Sequence, residues 1–480
     1  MTQDTTIPQE NYPLCVDLDG TLISTDTLSE NTIGLIKKNP FYILLLPLWL
    51  AKGKSYLKDA IAKRSPLNPA LLPYNQEIIN FIKQQPKSRT IILASGTNER
   101  IATAVANHTK LFSQVFASSI NHNGTGTEKA NTLIHNYGDK KFDYIGNSFE
   151  DLPVWRHARY GHIVSRSTNL INQARQEATI KKIFTAPPIS YKTWLKQLRI
   201  HQWTKNILLF IPLITAHKIF EPNALAPTII GFLSFCAMAS TIYIMNDAFD
   251  LSADRQHLTK KNRPLASGKI SLVKALQVAS GLLITSYLLA IVFLTPSFIF
   301  WLSIYAVANI IYSLWLKKII IIDVILLASL YTLRIIAGST AANITTSTWL
   351  FMFALFIFLS LALIKRTSEL VNLKKVGQKK SPGRGYKSTH LKVVALTGLL
   401  LGYTSLITLS LYIKSAQVQL LYTTPLLLWL LIPLLFVWIS RLWKRTWQGQ
   451  MQEDPIVFAI QDTISYATGI TAIAILILAT

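Results

Sequence analysis

Asn246-Asp247-Ala248-Phe249-Asp250-Leu251-Ser252-Ala253-Asp254 sets three carboxylates and an amide at helical spacing, directly behind residues 225–245, an apolar run long enough to cross a bilayer. Asp247, Asp250 and Asp254 stand at i, i+3 and i+7, which is one face of a helix, and Asn246 is one position away. Carboxylates held about 4 Å apart repel by about 4 kcal/mol per pair at an effective dielectric near 20, so the arrangement calls for a cation between them. A carboxylate at the bilayer centre costs about 2.5–3.5 kcal/mol even on a lenient scale, so the cluster is expected to face a wet cavity at the membrane surface. Magnesium, which bridges carboxylates to phosphate oxygens, is the expected metal, with Asn246, Asp247, Asp250 and Asp254 as candidate ligands. The run Arg263-Pro264-Leu265-Ala266-Ser267-Gly268-Lys269 then supplies cations and a turn where phosphates would need them.

The rest of the chain agrees with a membrane setting. Half of its 480 residues are hydrophobic and only 15% are charged, which is too apolar for an ordinary soluble protein. About nine apolar segments are expected to span, near 207–216, 225–245, 271–294, 297–316, 319–338, 349–364, 393–412, 421–439 and 463–478. The net charge of +24 lies largely in the connections between them, not on one folded face or tail, which argues against nucleic acid and for positive-inside topology with acidic phosphate substrates. Arg255, Lys260, Lys261, Arg263 and Lys269 follow the second segment; Lys317 and Lys318 the fourth; Lys374, Lys375, Lys379, Lys380, Arg384 and Lys387 the sixth; Arg441, Lys444 and Arg445 the eighth. The opposite connections carry almost only Lys218 and Lys414. A multi-pass protein of a bacterial inner membrane is expected, with its N-terminal domain cytoplasmic and its C-terminus outside. Residues 1–12 lack the basic start and apolar core of a secretory signal, and Cys15 and Cys236 suggest neither a disulfide nor a zinc site.

Residues 1–167 read differently. Short apolar runs at 14–18, 90–94, 115–118, 142–145 and 162–165 alternate with helical stretches, the pattern of parallel strands with crossover helices. The expected architecture is a soluble α/β domain with a helical cap, a linker and interfacial segment over 168–197, and an all-α membrane domain over 198–480. Residues 41–50 form an apolar helical run too short to span; a buried cap helix is the expected reading and membrane contact the alternative. Asp17 and Asp19 end the first strand, where alternation would point both at one substrate, one as nucleophile and one as acid and base.

Asn-Asp-x-x-Asp-x-x-x-Asp followed by Arg-Pro-Leu-x-Ser-Gly resembles the first acidic motif of the UbiA superfamily of intramembrane prenyltransferases, and the resemblance covers roughly 198–480. It implies nine helices around a cavity, with magnesium on the acidic motif holding a donor's diphosphate. Further stretches resemble the decaprenyl-phosphate phosphoribosyltransferase branch: Leu198 to Asn206 (LRIHQWTKN), Tyr312 to Lys318 (YSLWLKK), Asp323-Val324 with Tyr331 to Arg334, Lys365 to Leu370 (KRTSEL), Gly383-Arg384-Gly385-Tyr386, and Asp454 to Ala459 with Asp462. The second acidic motif of the aromatic-acceptor branch, with aspartates four apart, has no clean counterpart: Asp323 stands alone, and Asp454 and Asp462 are eight apart. The resemblance implies transfer of phosphoribose from phosphoribosyl diphosphate to a polyprenyl phosphate. Lys205, Arg263, Lys317, Arg334, Lys365, Arg366 and Arg384 are the candidate clamps; Arg334, inside an apolar span, is the one that membrane cost singles out as functional.

In the first domain, Asp17-Leu18-Asp19-Gly20-Thr21, Ser95-Gly96-Thr97, Lys129 behind the loop 124–126, and Gly146-Asn147-Ser148-Phe149-Glu150-Asp151 resemble, in order and spacing, the four motifs of the haloacid dehalogenase superfamily. That implies Asp17 as phosphorylated nucleophile, Asp19 as acid and base, Ser95 and Lys129 on phosphate, and Asp151 with Asp17 and Asp19 around magnesium. Asn147 departs from the many members with aspartate there, which leaves Asp151, with Glu150 as a further candidate, to carry the metal charge. Joined on one chain, the phosphatase is expected to act on the transferase product, since linkage raises local concentration. The alternatives are prenyl transfer from a polyprenyl diphosphate, or a membrane protein with a non-catalytic phosphatase-like head.

Overall fold

The computed structural model describes residues 12–185, 188–345, 347–375, 377, 385–451, 458–459 and 462–480. The chain divides into two compact units, one of Met1–Gln197 with Ile244–Val278 and one of Leu198–Tyr243 with Ala279–Thr480. The acidic motif and its basic turn therefore belong to the same unit as the α/β domain, a grouping that the expected boundary at 198 does not contain.

In the first unit a six-stranded sheet is built from β1 (Leu14–Val16), β2 (Ile91–Asn98), β3 (Gln114–Ser118), β4 (Asp143–Gly146), β5 (Gly161–Val164) and β6 (Ile180–Phe184), in the order β3-β2-β1-β4-β5-β6. Every pairing is parallel, with Leu14 opposite both Ile91 and Asp143. Parallel strands are covered on both faces, which explains the unbroken apolar runs. Leu14, Val16 and Leu93 pack with Ile78, Ile82 and Val105 on one face, while Cys15, Ile92 and Tyr144 pack with Leu133 and Trp155 on the other. The segment expected as a linker instead carries helix Thr168–Glu177 and strand β6. Lys181 and Lys182 face solvent on this edge strand while Phe184 enters the core, so the charges that hide it in the sequence are those of a sheet edge.

The cap comprises Thr27–Lys38, Pro40–Leu44, Leu46–Ala51 and Lys54–Arg64, with Leu35, Trp49, Ala60 and Ile61 as its own small core. The expectation of a buried helix at 41–50 is corrected. Pro40 and Pro47 break the run into a 3-10 turn and a short helix, Trp49 is buried, and Phe41, Ile43, Leu44, Leu48 and Leu50 are exposed.

Seven helices among the described residues are long and apolar enough to cross a membrane: Pro222–Phe249, Leu272–Phe293, Pro296–Leu314, Ile322–Ala341, Thr348–Lys375, Ser388–Ile413 and Pro425–Trp447. The other two expected spans are shorter: residues 207–216 fall across a 3-10 stretch, Ile200–Phe210, and the five-residue helix Ile211–Thr215, and Thr463–Ala479 has 17 residues. In the second unit a Cβ on Gly338 would lie 2.0 Å from the carbonyl oxygen of Leu209, so only glycine allows that approach of helix to 3-10 segment.

Candidate active sites

The strand order reverses direction between β1 and β4, the place where an open parallel sheet leaves a crevice at its carboxyl ends. Asp17 follows β1, Ser95 and Thr97 stand near the end of β2, and Asp151 lies in the turn after β4. With Lys129, from the first turn of helix Gly126–Tyr137, they line a cleft of about 780 Å³.

Lys129 is the centre of the cluster. Its Nζ donates to Asp17 Oδ1 at 2.9 Å, Tyr144 Oη at 2.7 Å and Asp151 Oδ1 at 3.1 Å, and all four side chains are buried. Asp151 Oδ2 accepts the backbone N–H groups of Asn147 and Ser148, which fixes the turn. Asp17 and Asp19 both line the cleft, though not through strand alternation, because β1 ends at Val16. Asp19 turns the other way and accepts from the Thr27 N–H at 2.8 Å, the Thr27 hydroxyl at 3.0 Å and the Thr97 hydroxyl. Ser95 Oγ accepts the Thr97 N–H, holding the loop over the cleft. At Gly20, φ is +75°, and a Cβ would meet the Asn147 side chain at 2.0 Å; asparagine at 147 thus packs on a backbone that must be glycine.

These environments separate the two aspartates. Burial pushes Asp17 up to about 6, although Lys129 pulls it back. Burial, then the Asp26 carboxylate, push Asp19 up to about 7 against the hydrogen bonds from Thr97 and Thr27. Burial opposes charge on Asp151 too, yet Lys129 and Tyr144 outweigh it and hold that carboxyl below its usual range. Asp151 is the fixed anion, and Asp19 is a group able to give and take a proton near neutrality. Sequence reasoning missed Thr27 and Lys58, and gave no role to Tyr144, the residue that opens the stretch ending at Asp151. Lys58 Nζ reaches Gly96 O at 2.6 Å and Asn123 Oδ1 at 2.9 Å, and Lys54 and Lys58 at i, i+4 on the cap were the available signal.

The acidic motif is arranged less simply than helical spacing implies. The long helix ends at Phe249, Asp250 takes φ −95° and ψ 8°, and a new helix runs Leu251–Gln256. Asp247 and Asp254, both buried, converge on one nitrogen: Arg263 Nη1 lies 3.1 Å from Asp247 Oδ1 and 2.6 Å from Asp254 Oδ2. Asp250 diverges to Lys37 Nζ at 3.0 Å. Asp247 also accepts from Gln197 Nε2 at 3.1 Å, and neighbouring Asn246 is half-buried. Arg255 holds the motif to the cap, with Nη1 and Nη2 at 2.9 and 2.6 Å from the two oxygens of Glu30 and Nε on Ala266 O.

The remaining clamp candidates lie in the second unit. Arg334 is buried and engaged at each nitrogen, with Nε on Asn206 Oδ1 (2.9 Å), Nη1 on Leu330 O (2.6 Å) and Nη2 on Tyr305 Oη (2.9 Å). Lys205, also buried, stands 5.8 Å from the centre of the Tyr331 ring, which Arg334 approaches to 5.5 Å. Arg366 is bound to Asp323 (2.6 Å), Glu369 (2.7 Å) and Tyr312 (3.2 Å), and Tyr386 Oη donates to Asp323 (2.7 Å), so this arginine is a structural tie. Lys317 and Lys365 are half-buried. Arg384, with Gly383 and Asp454, lies outside the described residues.

Over residues 207–464 the chain matches the model of the UbiA prenyltransferase family. The chain belongs to that family. A protein of Sinorhizobium fredii called y4nM, described as uncharacterized, is 33% identical over 462 residues, 95% of this UbiA chain and 89% of the relative. The decaprenyl-phosphate phosphoribosyltransferase of Mycolicibacterium smegmatis is 34% identical over 205 residues, 42% of this chain and 64% of that enzyme. Among solved structures, a UbiA homolog from Archaeoglobus fulgidus bound to GPP and Mg2+ superposes with a TM-score of 0.45 at 20% identity, covering 59% of this chain and 99% of that one. The UbiA match contains the whole acidic motif, Arg263, Lys317, Arg334, Lys365 and Arg366. Among the described residues no group of three or more His, Cys, Asp or Glu side chains gathers as a metal centre. What the UbiA motif offers is a pair, Asp247 and Asp254, already aimed at one cationic nitrogen. A pair fits magnesium, which binds through one or two carboxylates and completes its shell with water and phosphate oxygens. Asp17 and Asp151, sharing Lys129, are a second such pair.

Proposed function

We propose that this UbiA family member is a bifunctional membrane enzyme. Its membrane part transfers phosphoribose from phosphoribosyl diphosphate to a polyprenyl phosphate. Its α/β domain, a haloacid dehalogenase-type phosphatase, then hydrolyses the 5-phosphate of the product. The observation that carries the first half is the convergence of Asp247 and Asp254 on Arg263, a site for a diphosphate beside a span; the likeness to decaprenyl-phosphate phosphoribosyltransferases supports the donor.

In the transfer, an oxygen of the polyprenyl phosphate forms a bond to the anomeric carbon of the ribose while the bond from that carbon to diphosphate breaks. The charge that develops is on the leaving diphosphate. In the first unit Arg263, held by two carboxylates, is a cation for that charge. Within the second unit, taken by itself, Lys205 and Arg334 are held by Tyr331, Tyr305 and Asn206 as pre-organised cations. Magnesium held by Asp247 and Asp254, or by Asp17 and Asp151, would supply neutralisation of phosphate oxygens.

In the hydrolysis, Asp17 Oδ2 attacks phosphorus as the ester oxygen leaves with a proton from Asp19. Asp19 then takes a proton from water, the water oxygen displaces Asp17 from phosphorus, and inorganic phosphate departs. Lys129 meets the phosphoryl charge, and Ser95 and the Thr97 N–H border its place. The cluster of Asp17, Asp19, Lys129 and Asp151 at the switch point carries this half. Its test is the fate of a 5-phosphate label after transfer: wild type should release it as inorganic phosphate, and Asp17→Asn should leave it on lipid. Equal release from both would remove the phosphatase from the scheme. Prenyl transfer from a polyprenyl diphosphate is the second reading, favoured by the family's name, and it predicts that no ribose label enters lipid.

A further inference from the structure

We propose that the cap segment Pro40–Ala51 lies in the surface of the bilayer and anchors the α/β domain there. Phe41 is 74% exposed, Leu44 67% and Leu48 60%, with Ile43 and Leu50 beside them. An apolar strip of this kind on a soluble domain marks an interaction surface. The side chains are displayed and not collapsed, because the other side of the segment is pinned. Trp49 is buried against Leu35, Ala60 and Ile61, its ring lies 6.0 Å from Tyr42, and the guanidinium of Arg64 stands 4.9 Å over it.

Two features name the bilayer as the occupant. The first is placement. Lys37, four residues before Phe41, donates to Phe249 O at 2.6 Å and to Asp250 at 3.0 Å, at the end of the span-length helix Pro222–Phe249. Phe41 follows Lys37 by four residues, at most about 14 Å of chain, so the start of the strip is kept close to the end of that helix. At the other end of the segment, Leu50 and Lys54 line the cleft together with Ser271 and Val273, where the span-length helix Leu272–Phe293 begins. The start of the strip is thus bonded to the end of one span-length helix, and its end shares a cleft with the start of another.

The second feature is charge. Lys37, Lys38, Lys52, Lys54 and Lys58 flank the strip, and no Asp or Glu occurs between Glu30 and Asp59. Basic residues around an apolar helix too short to cross are the signature of a segment lying in the plane of an anionic surface. The consequence is that the cleft of Asp17 and Lys129 opens at headgroup height, where a phosphate ester carried on a lipid can reach it without leaving the bilayer. That consequence alone rests on the phosphatase reading above; the docking itself does not.

The test uses the full chain in vesicles of phosphatidylcholine with phosphatidylglycerol. Leu44→Cys carries bimane, and Lys87→Cys, in the turn before β2 at the end of the strands away from the cleft, is the control; Cys15 and Cys236 are buried. Doxyl-labelled lipid is expected to quench bimane at 44 at least threefold more than at 87, and iodide in the water to quench it less. Quenching at 44 by iodide and not by doxyl lipid would overturn the proposal. So would protection from both quenchers with cross-linking between copies through position 44, which would make a second copy the occupant. Hydrolysis of p-nitrophenyl phosphate, measured on the same vesicles with wild type and Asp17→Asn, reports the phosphatase reading separately, so either can fail while the other stands.

Discussion

Asp323→Asn should loosen the membrane domain by a large and measurable amount. Asp323 and Arg366 are 0% and 1% exposed, meet at 2.6 Å, and are tied in by Tyr386 at 2.7 Å and Tyr312 at 3.2 Å. Removing one partner of a buried ion pair costs about 3–5 kcal/mol, because the other charge is left uncompensated. Glu369, at 2.7 and 2.9 Å from Nη1, still faces the guanidinium, so the low end applies, about 3 kcal/mol. At about 1.4 kcal/mol per decade, that is a roughly hundredfold rise in local opening. Hydrogen exchange of the first turns of Ile322–Ala341 in detergent micelles reads it directly. The double variant Asp323→Leu with Arg366→Met removes both charges and should recover most of the loss. Because the carboxylates of Asp323 and Glu369 already neutralise Arg366, whereas Arg334 meets only neutral groups, the double variant should also keep lipid labelling within about threefold. Exchange in Asp323→Asn equal to wild type would refute the energetics, and a stable but inactive double variant would return Arg366 to the substrate clamps.

Three further outcomes follow from other parts of the molecule. Burial lowers His162 from 6.5 to about 4, among Phe81 and Phe184. A histidine whose folded value is depressed gives stability that is whole above about 6.5 and lost as pH falls towards 4, here about 3 kcal/mol at most. His162→Phe should flatten that acid limb, seen as β5 amide exchange at pH 5 matching pH 7 after correction for intrinsic rates; an unchanged limb would acquit His162. Gly338→Ala drives a methyl into the Leu209 carbonyl and should cost at least about 1–3 kcal/mol, measured by loss of thermal retention in detergent. Glu30→Gln, facing the two nitrogens of Arg255 from a buried position, should free the acidic motif and raise exchange over Leu251–Gln256 at least tenfold, whereas an unchanged rate would mean that Ala266 O alone holds Arg255.

The sequence made the spans and the strands readable for the same reason: both bury long apolar runs, and their turns are punctuated. It left β6 unread because this edge strand keeps Lys181 and Lys182 in water, which breaks the pattern. Pro40 and Pro47 were visible, but only the packing of Trp49 decides which side of the cap segment is left bare. In the α/β site, the chemistry-bearing residues Asp17, Asp19, Ser95, Lys129 and Asp151 stood out by type and spacing. Tyr144 and Thr27 did not, since they look like core and cap residues until the fold brings them to Lys129 and Asp19. The acidic motif shows the limit most clearly. Its i, i+3, i+7 spacing assumes an unbroken helix, and the helix breaks at Asp250, so Lys37 and Gln197, which come from 213 and 50 residues away, decide where the carboxylates point.

In the function proposed above, Asp247 and Asp254 hold the diphosphate end of a phosphoribosyl donor. The most direct measurement is transfer of ribose-labelled phosphoribosyl diphosphate into organic-extractable lipid by membranes containing wild type, Asp247→Ala or Asp254→Ala. Wild type should label lipid, and each variant should lose at least a hundredfold of that label at equal protein content. Absence of label in wild type, with transfer from a labelled polyprenyl diphosphate in its place, would contradict it.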